Sequence, residues 1–199
     1  MSSLRYLLVL LSIVSLPACS PRDFLTRRLA ADLIAASPAF NARQQFFLHT
    51  GVLSNKEYIA PEYLVLQHKG WIQGTTVNCP PNIQPAPCWD VVLTPLGVDT
   101  FRNLIPERDS NKQFFSIPTA KRDVVEIRGI SKAGNFADVQ FTWRWTPLNE
   151  VGAALDGGVV YSAIVAFRHY DDGWRVLEGN AMRTDQSLDD ALKNSEPVR

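Results

Sequence analysis

The chain of 199 residues has few side chains that do chemistry by themselves, so their spacing decides what they could do together. Its three histidines are His49, His68 and His169. A helical or hairpin metal site needs a second ligand a few residues away, as in H-E-x-x-H, and none of the three has one. There is no G-x-S-x-G nucleophile elbow and no glycine-rich phosphate loop with its lysine. Asp171-Asp172 and Asp189-Asp190 are paired carboxylates. General acid–base work needs one carboxyl of a pair kept dry so that it holds its proton. The first pair falls in a turn and the second near a helix start, where acids have local structural reasons. His169 reads as a solvated residue on a strand beside a turn. No catalytic residue, metal or cofactor is assigned.

The thiols are Cys19, Cys79 and Cys88. Cys79 and Cys88 bracket the proline-rich loop CPPNIQPAPC. The pair lacks both the C-x-x-C spacing and the nearby histidine of a zinc site. In an oxidising compartment it reads as a disulfide. Closing a loop of about 10 residues stabilises by about 2.7 kcal/mol in the chain-entropy account.

The strongest pattern is aromatic. From Ala137 to Trp145 the chain alternates, with Ala137, Val139, Phe141, Trp143 and Trp145 on one face and Asp138, Gln140, Thr142 and Arg144 on the other. Tyr161, Val165 and Phe167 share a face of a neighbouring strand. Two uses fit such a stripe. It is the core beneath a helix, each large side chain contributing about 1.5–3 kcal/mol. Alternatively Phe141, Trp143, Trp145, Tyr161 and Phe167 line an apolar ligand pocket between helix and sheet. Arg144 and Arg168 fall on the opposite face.

Elements must position these groups. Ser20-Pro21-Arg22-Asp23 predicts a helix start, followed by Leu25, Leu29, Leu33 and Ala36 at helical spacing and a stop at Ser37-Pro38. Gln44–Val52 is a candidate strand. Pro61–Lys69 predicts a helix ended by Gly70, Trp71-Ile72-Gln73 begins a strand, Trp89–Leu93 returns, and Thr94-Pro95 opens a helix to Leu104. Residues 106–120, PERDSNKQFFSIPTA, read as an irregular connection. Asp123–Ile130 and Ala137–Trp145 form a hairpin. A helical turn near Leu155 follows, and then Val159–Tyr170, a tight turn at Asp172-Gly173, and Trp174–Leu177. The fold class predicted is α+β: a helix packed on a curved antiparallel sheet, preceded by a small helix–hairpin–helix segment with a disulfide loop. The division expected is 1–18 as a removed leader, 19–105 as a helical and hairpin part, 106–120 as connection, 121–182 as the sheet, and 183–199 as a short helix and disordered tail.

The N-terminus MSSLRYLLVLLSIVSLPACS has Arg5, then an apolar run from Tyr6 to Leu16. That run suits a secretory leader and is shorter than the roughly 20 residues that span a bilayer. Leu16-Pro17-Ala18-Cys19 resembles the lipobox of bacterial lipoproteins, with Pro17 at a position where a small or polar residue is more usual. The resemblance implies cleavage after Ala18 and a lipid on Cys19, which leaves Cys79 and Cys88 as a pair. Each buried methylene of such a lipid adds about 0.8 kcal/mol. Secretion with a cut at Ala18 and no lipid is the alternative. Ser20 after the lipid site leans, by the same resemblance, toward an outer membrane facing the periplasm. A helix starting so soon after Cys19 would hold Arg22, Arg27 and Arg28 near the headgroups; a solvated basic face is the competing reading.

The order from Pro61 to Leu104, with KGWIQ and VVLTPLG, resembles the wing region of winged-helix domains. The closing YDDGWRVLEG resembles the final hairpin of nuclear-transport-factor-two-like and cystatin-like folds. The first resemblance would imply DNA binding. Yet Glu62, Gln67, His68 and Lys69 are no basic recognition face, and Lys+Arg and Asp+Glu are both 20 in the whole chain, so no nucleic-acid partner is expected. The functional expectation is a lipid-anchored, non-catalytic binding or envelope-associated module whose partners are the membrane and either a protein or a small apolar ligand. An enzyme or ligand binder using the apolar pocket is the alternative, and a winged-helix regulator the third.

Overall fold

Ser37 ends one helix and begins the next. Its N–H donates to the Ile34 carbonyl (3.1 Å), and its hydroxyl accepts from the Phe40 N–H (3.2 Å). The helices it separates are α1, Arg27–Ala36, and α2, Pro38–Asn41. They belong to a computed structural model that describes residues 24–81, 83, 86–105, 113–179 and 187–198. The leader 1–18 and Cys19 lie outside the described residues. The predicted start at Ser20 lies outside the described residues; the described helix begins at Arg27, because Thr26 is extended and its hydroxyl accepts from the Leu29 N–H. Leu25, Ala30 and Ile34 are buried, Leu29 and Leu33 pack against the same core, and of the predicted face only Ala36 is exposed.

The candidate strand Gln44–Val52 is two strands, β1 (Gln44–His49) and β2 (Gly51–Ser54). They part at Thr50, whose N–H donates to Gln113 (2.8 Å), and at Gly51, with φ +84°. A capping box between Ser54 and Glu57 starts α3, Asn55–Tyr58. Helix α4, Pro61–His68, is followed by Gly70 in the left-handed region (φ +69°). Strands β3 (Ile72–Val77) and β4 (Cys88–Leu93) pair in antiparallel register, and β2 adds to the other side of β4 to give the order β2-β4-β3. Thr94 then caps α5, Pro95–Phe101, accepting from the Gly97 N–H (3.0 Å).

The larger sheet is antiparallel and curled. Its strands are β5 (Phe114–Ala133), β6 (Phe136–Pro147), β7 (Val160–Tyr170) and β8 (Gly173–Val176), with β1 at one edge in the order β1-β5-β6-β7-β8. Register shifts between Val124 and Glu126 and between Ile127 and Gly129 help to bend β5. Helix α6, Glu150–Leu155, connects β6 to β7. After β8 come α7, Leu188–Lys193, and β9, Glu196–Pro197, which pairs with Tyr161-Ser162 of β7.

Two expectations are corrected here. The connection 106–120 is strand from Phe114 onward, because His49 to Gln44 of β1 supply backbone partners from Phe114 to Ala120 and Ile117 is fully buried. The tail is not free at residues 196–197, because β7 offers them an edge. The first correction also removes the boundary between an N-terminal part and the sheet, since β1 is itself a strand of that sheet.

Two cores result. The first lies between the larger sheet and α1, α2 and α7, and holds Ile34, Phe40, Val139, Phe141, Val165, Phe167 and Leu188. The second gathers the smaller sheet, α4, α5 and α6 against the early half of β5, and holds Leu53, Leu66, Val91, Phe101, Ile117 and Val151. Among the described residues no helix is long and apolar enough to cross a membrane.

Candidate functional site

Alternation along β6 and β7 puts the aromatic stripe on one face, and the register brings it together: Trp143 lies opposite Tyr161, Phe141 opposite Ala163, and Ala137 opposite Phe167. The Trp143 and Tyr161 rings stack at 4.7 Å. Phe40 of α2 meets Phe141 at 6.3 Å and Trp143 edge-on at 6.5 Å. Phe141 and Phe167 are wholly buried and Trp143 nearly so, packed beneath the helices. Trp145 and Tyr161 are half-buried. They line a cleft of about 150 Å³ with Gln44, Leu155, Asp156, Gly157 and Val159. The five residues therefore divide into three in the packed core and two at its mouth.

Arg122 packs on the Trp145 ring and was not singled out from sequence. It lies opposite Trp145 across β5 and β6. Its guanidinium carbon is 4.4 Å from the Trp145 ring centroid and 5.4 Å from that of Trp143. Its Nη1 donates to the carbonyls of Ala39 (2.9 Å) and Ala42 (3.3 Å). Burial lowers its proton affinity below the ordinary guanidinium value, and the Asp189 carboxylate offsets part of that. The Arg122 Nε and Trp143 Nε1 are buried without a hydrogen-bond partner among the described residues. The available signal was two-residue periodicity: once β5 extends back to Phe114, Ala120, Arg122 and Val124 fall on one face. Chemically this mouth offers aromatic walls, the Gln44 amide and the Asp156 carboxylate.

A second cluster surrounds His49. Tyr63 of α4 clips the end of β1, its hydroxyl accepting from the His49 N–H (2.7 Å) and donating to the His49 carbonyl (2.9 Å). Burial raises the Tyr63 pKa, the nearby Glu57 charge adds to the rise, and the bond from His49 opposes it. His49 Nδ1 is 3.6 Å from Glu57 Oε1, and the imidazole stacks on Phe114 at 3.9 Å. Glu57 is already engaged, because its Oε2 accepts from the Ser54 N–H (3.1 Å) and hydroxyl (2.8 Å). The cluster is a joint between β1, β2 and α4.

The remaining residues read from sequence are dispersed. His68 is exposed at the end of α4. His169 is half-buried rather than solvated, because β8 covers that stretch of β7: it pairs with Trp174, and the rings lie 5.0 Å apart. Asp172 pairs with Arg175 in the β7–β8 turn. Asp190 binds the Ser187 hydroxyl (2.7 Å) at the start of α7. Arg144 and Arg168 are exposed on the face away from the stripe. Among the described residues no three His, Cys, Asp or Glu side chains gather in a group that could hold a metal ion.

Cys79 and Cys88 are joined as a disulfide, with a Cα separation of 5.1 Å. Cys88 is fully buried at the start of β4, opposite Val77, so the bond closes the base of the loop that joins β3 to β4.

No protein-family model, curated protein or solved structure matches the chain.

Proposed function

We propose that the chain is an exported protein held at a bacterial membrane by a lipid on Cys19, where it serves as a non-catalytic binding or envelope-associated module. The observation that carries this reading is the Cys79–Cys88 disulfide. Such bonds persist in oxidising compartments and are rare where thiols are kept reduced. It agrees with the Leu16-Pro17-Ala18-Cys19 sequence, whose cysteine is the one left outside the pair. Ser20 supports sorting to an outer membrane, facing the periplasm. The helices on a curled sheet support a kinship of architecture with nuclear-transport-factor-two-like and cystatin-like folds. The run α4-β3-β4-α5 supports the helix–hairpin–helix description. Architecture alone assigns no activity.

The cleft at Trp145 and Tyr161 favours a second reading, a binder of small ligands. The deciding experiment for the first is the intact mass of the protein from the membrane fraction. The expected mass is that of residues 19–199 plus the lipid on Cys19, less two hydrogen atoms for the disulfide. Recovery of the unmodified full-length chain with reduced cysteines overturns the proposal, and salt-sensitive DNA binding in the same sample would favour a winged-helix regulator instead.

A further inference from the structure

We propose that the hairpin end of the larger sheet is the face that lies on the bilayer and that it docks on anionic phospholipid headgroups. This rests on the lipid-anchor reading of Cys19 and adds to it an orientation and a recognised charge.

Three parts of the chain meet at this end. Phe24, the first described residue, comes five positions after Cys19. The Lys132 ammonium lies 5.6 Å from the Phe24 ring centroid and 5.6 Å from that of Trp174. Lys132 precedes the β5–β6 turn at Gly134-Asn135, and Trp174 follows the β7–β8 turn at Asp171-Asp172. Arg27, opening α1, donates to the Arg128 carbonyl of β5 (3.4 Å). Both turns and the start of α1 therefore share one end of the molecule, and the chain leads from it toward Cys19. Five residues reach at most roughly 18 Å even when extended. A lipid on Cys19 keeps this end, and no other, beside the headgroups.

The surface chemistry fits that neighbour. Phe24 is 56% exposed, with its ring beside the Lys132 ammonium. On the opposite face of the sheet, Arg168 lies over Phe136 (5.6 Å) and Tyr170 (5.1 Å), and Arg175 lies over Tyr170 (5.1 Å). Aromatic rings interleaved with long cations suit the boundary where acyl chains give way to phosphates. Arg175 is paired with Asp172 and Arg128 with Glu126. Lys132 and Arg168 have no carboxylate at ion-pair distance among the described residues. With Arg27 and Arg28 they outnumber the exposed Asp138 and Asp171 of the same end. The chain as a whole has no net charge, so this is a local concentration of positive charge and no general basicity.

The test uses the full chain reconstituted in phosphatidylcholine vesicles with and without phosphatidylglycerol, and in detergent. Lysines are acylated with a water-soluble reagent and read by mass spectrometry, which also reports the lipid on Cys19. Labelling of Lys132 should fall at least about fivefold in anionic vesicles relative to detergent, while Lys56 and Lys69 of the smaller-sheet half keep their labelling. A lipidated Cys19 with Lys132 labelled equally in both overturns the docking and leaves the anchor standing. Equal protection in neutral and anionic vesicles overturns the headgroup assignment. If Cys19 carries no lipid, the anchor reading falls and sedimentation with anionic vesicles decides the docking. Binding weakened about 25-fold by Lys132→Ser with Arg168→Ser supports it, and no binding overturns it.

Discussion

Gly152 of α6 sits so close to the Thr119 carbonyl of β5 that a β-carbon on it would stand 2.0 Å from that oxygen. The contact seats α6 on β5, and two bonds hold it there: Leu148 N–H to Thr119 (2.9 Å) and Asn149 Nδ2 to Pro118 (2.7 Å). Gly97 of α5 meets the Trp71 carbonyl in the same manner, at 1.9 Å. Backbone cannot yield as a flexible side chain can. Gly152→Ala and Gly97→Ala should each lower stability by about 2–3 kcal/mol, read as a shift in urea midpoint. Gly129→Ala, which meets open space, should stay within about 0.5 kcal/mol of the parent. Equal effects at the three sites would contradict the packing described.

The disulfide should be worth about 2–3 kcal/mol. Cys79→Ser is the cleaner probe, because Cys88 is fully buried and its replacement would also disturb the core. The variant and the reduced parent should show the same lowered melting temperature. A variant as stable as the oxidised parent would mean that the hairpin needs no closure.

Core and cleft separate on truncation. Phe141→Ala removes a wholly buried ring and should cost about 3–5 kcal/mol. Trp145→Ala, at the half-exposed mouth, should cost about 1–2 kcal/mol and leave the near-ultraviolet dichroism of the remaining core intact. The reverse order would contradict the burial described.

Glu57 gives a pH signature. Burial alone would raise its carboxyl, but the Ser54 hydroxyl and N–H and the neighbouring His49 outweigh it, so the group sits below its ordinary value of 4.5. A carboxyl lowered in the folded state contributes stability above its unfolded pKa, and that contribution is lost as pH falls through the folded value. The site is half exposed, so solvent screening holds the effect to about 0.5 kcal/mol. Urea midpoints of the parent and Glu57→Gln should differ at pH 7 and converge in acid, below the ordinary glutamate range. A gap that widens in acid would reverse the sign.

Legibility from sequence followed the range of the interactions. The β6-β7-β8 run declared itself through strict alternation and a turn of two acids and a glycine, all local. The cysteine pair declared itself through spacing. Helices opened by Thr94-Pro95 and closed by Gly70 were legible because caps are local chemistry. The early half of β5 was not, because its partner β1 lies far away in sequence: Ser116 bonds to Gln45 across 71 positions. Arg122 was hidden for the same reason, since its inward face appears only once that longer strand is drawn. The start of α1 rests on the extended backbone at Thr26, which residue types alone do not declare.

Strand β5 runs for 20 residues, with Ile117 in one core and Ile127 in the other. One continuous backbone thus acts as the common wall of two rooms. Neither core can come apart without pulling on a strand that the other still grips, so the two should melt as one thermodynamic unit. Making the chain as two separate pieces divided before Phe114 would take from β1 its sheet partner and from the smaller sheet its floor. The molecule has one seam in composition and none in mechanics.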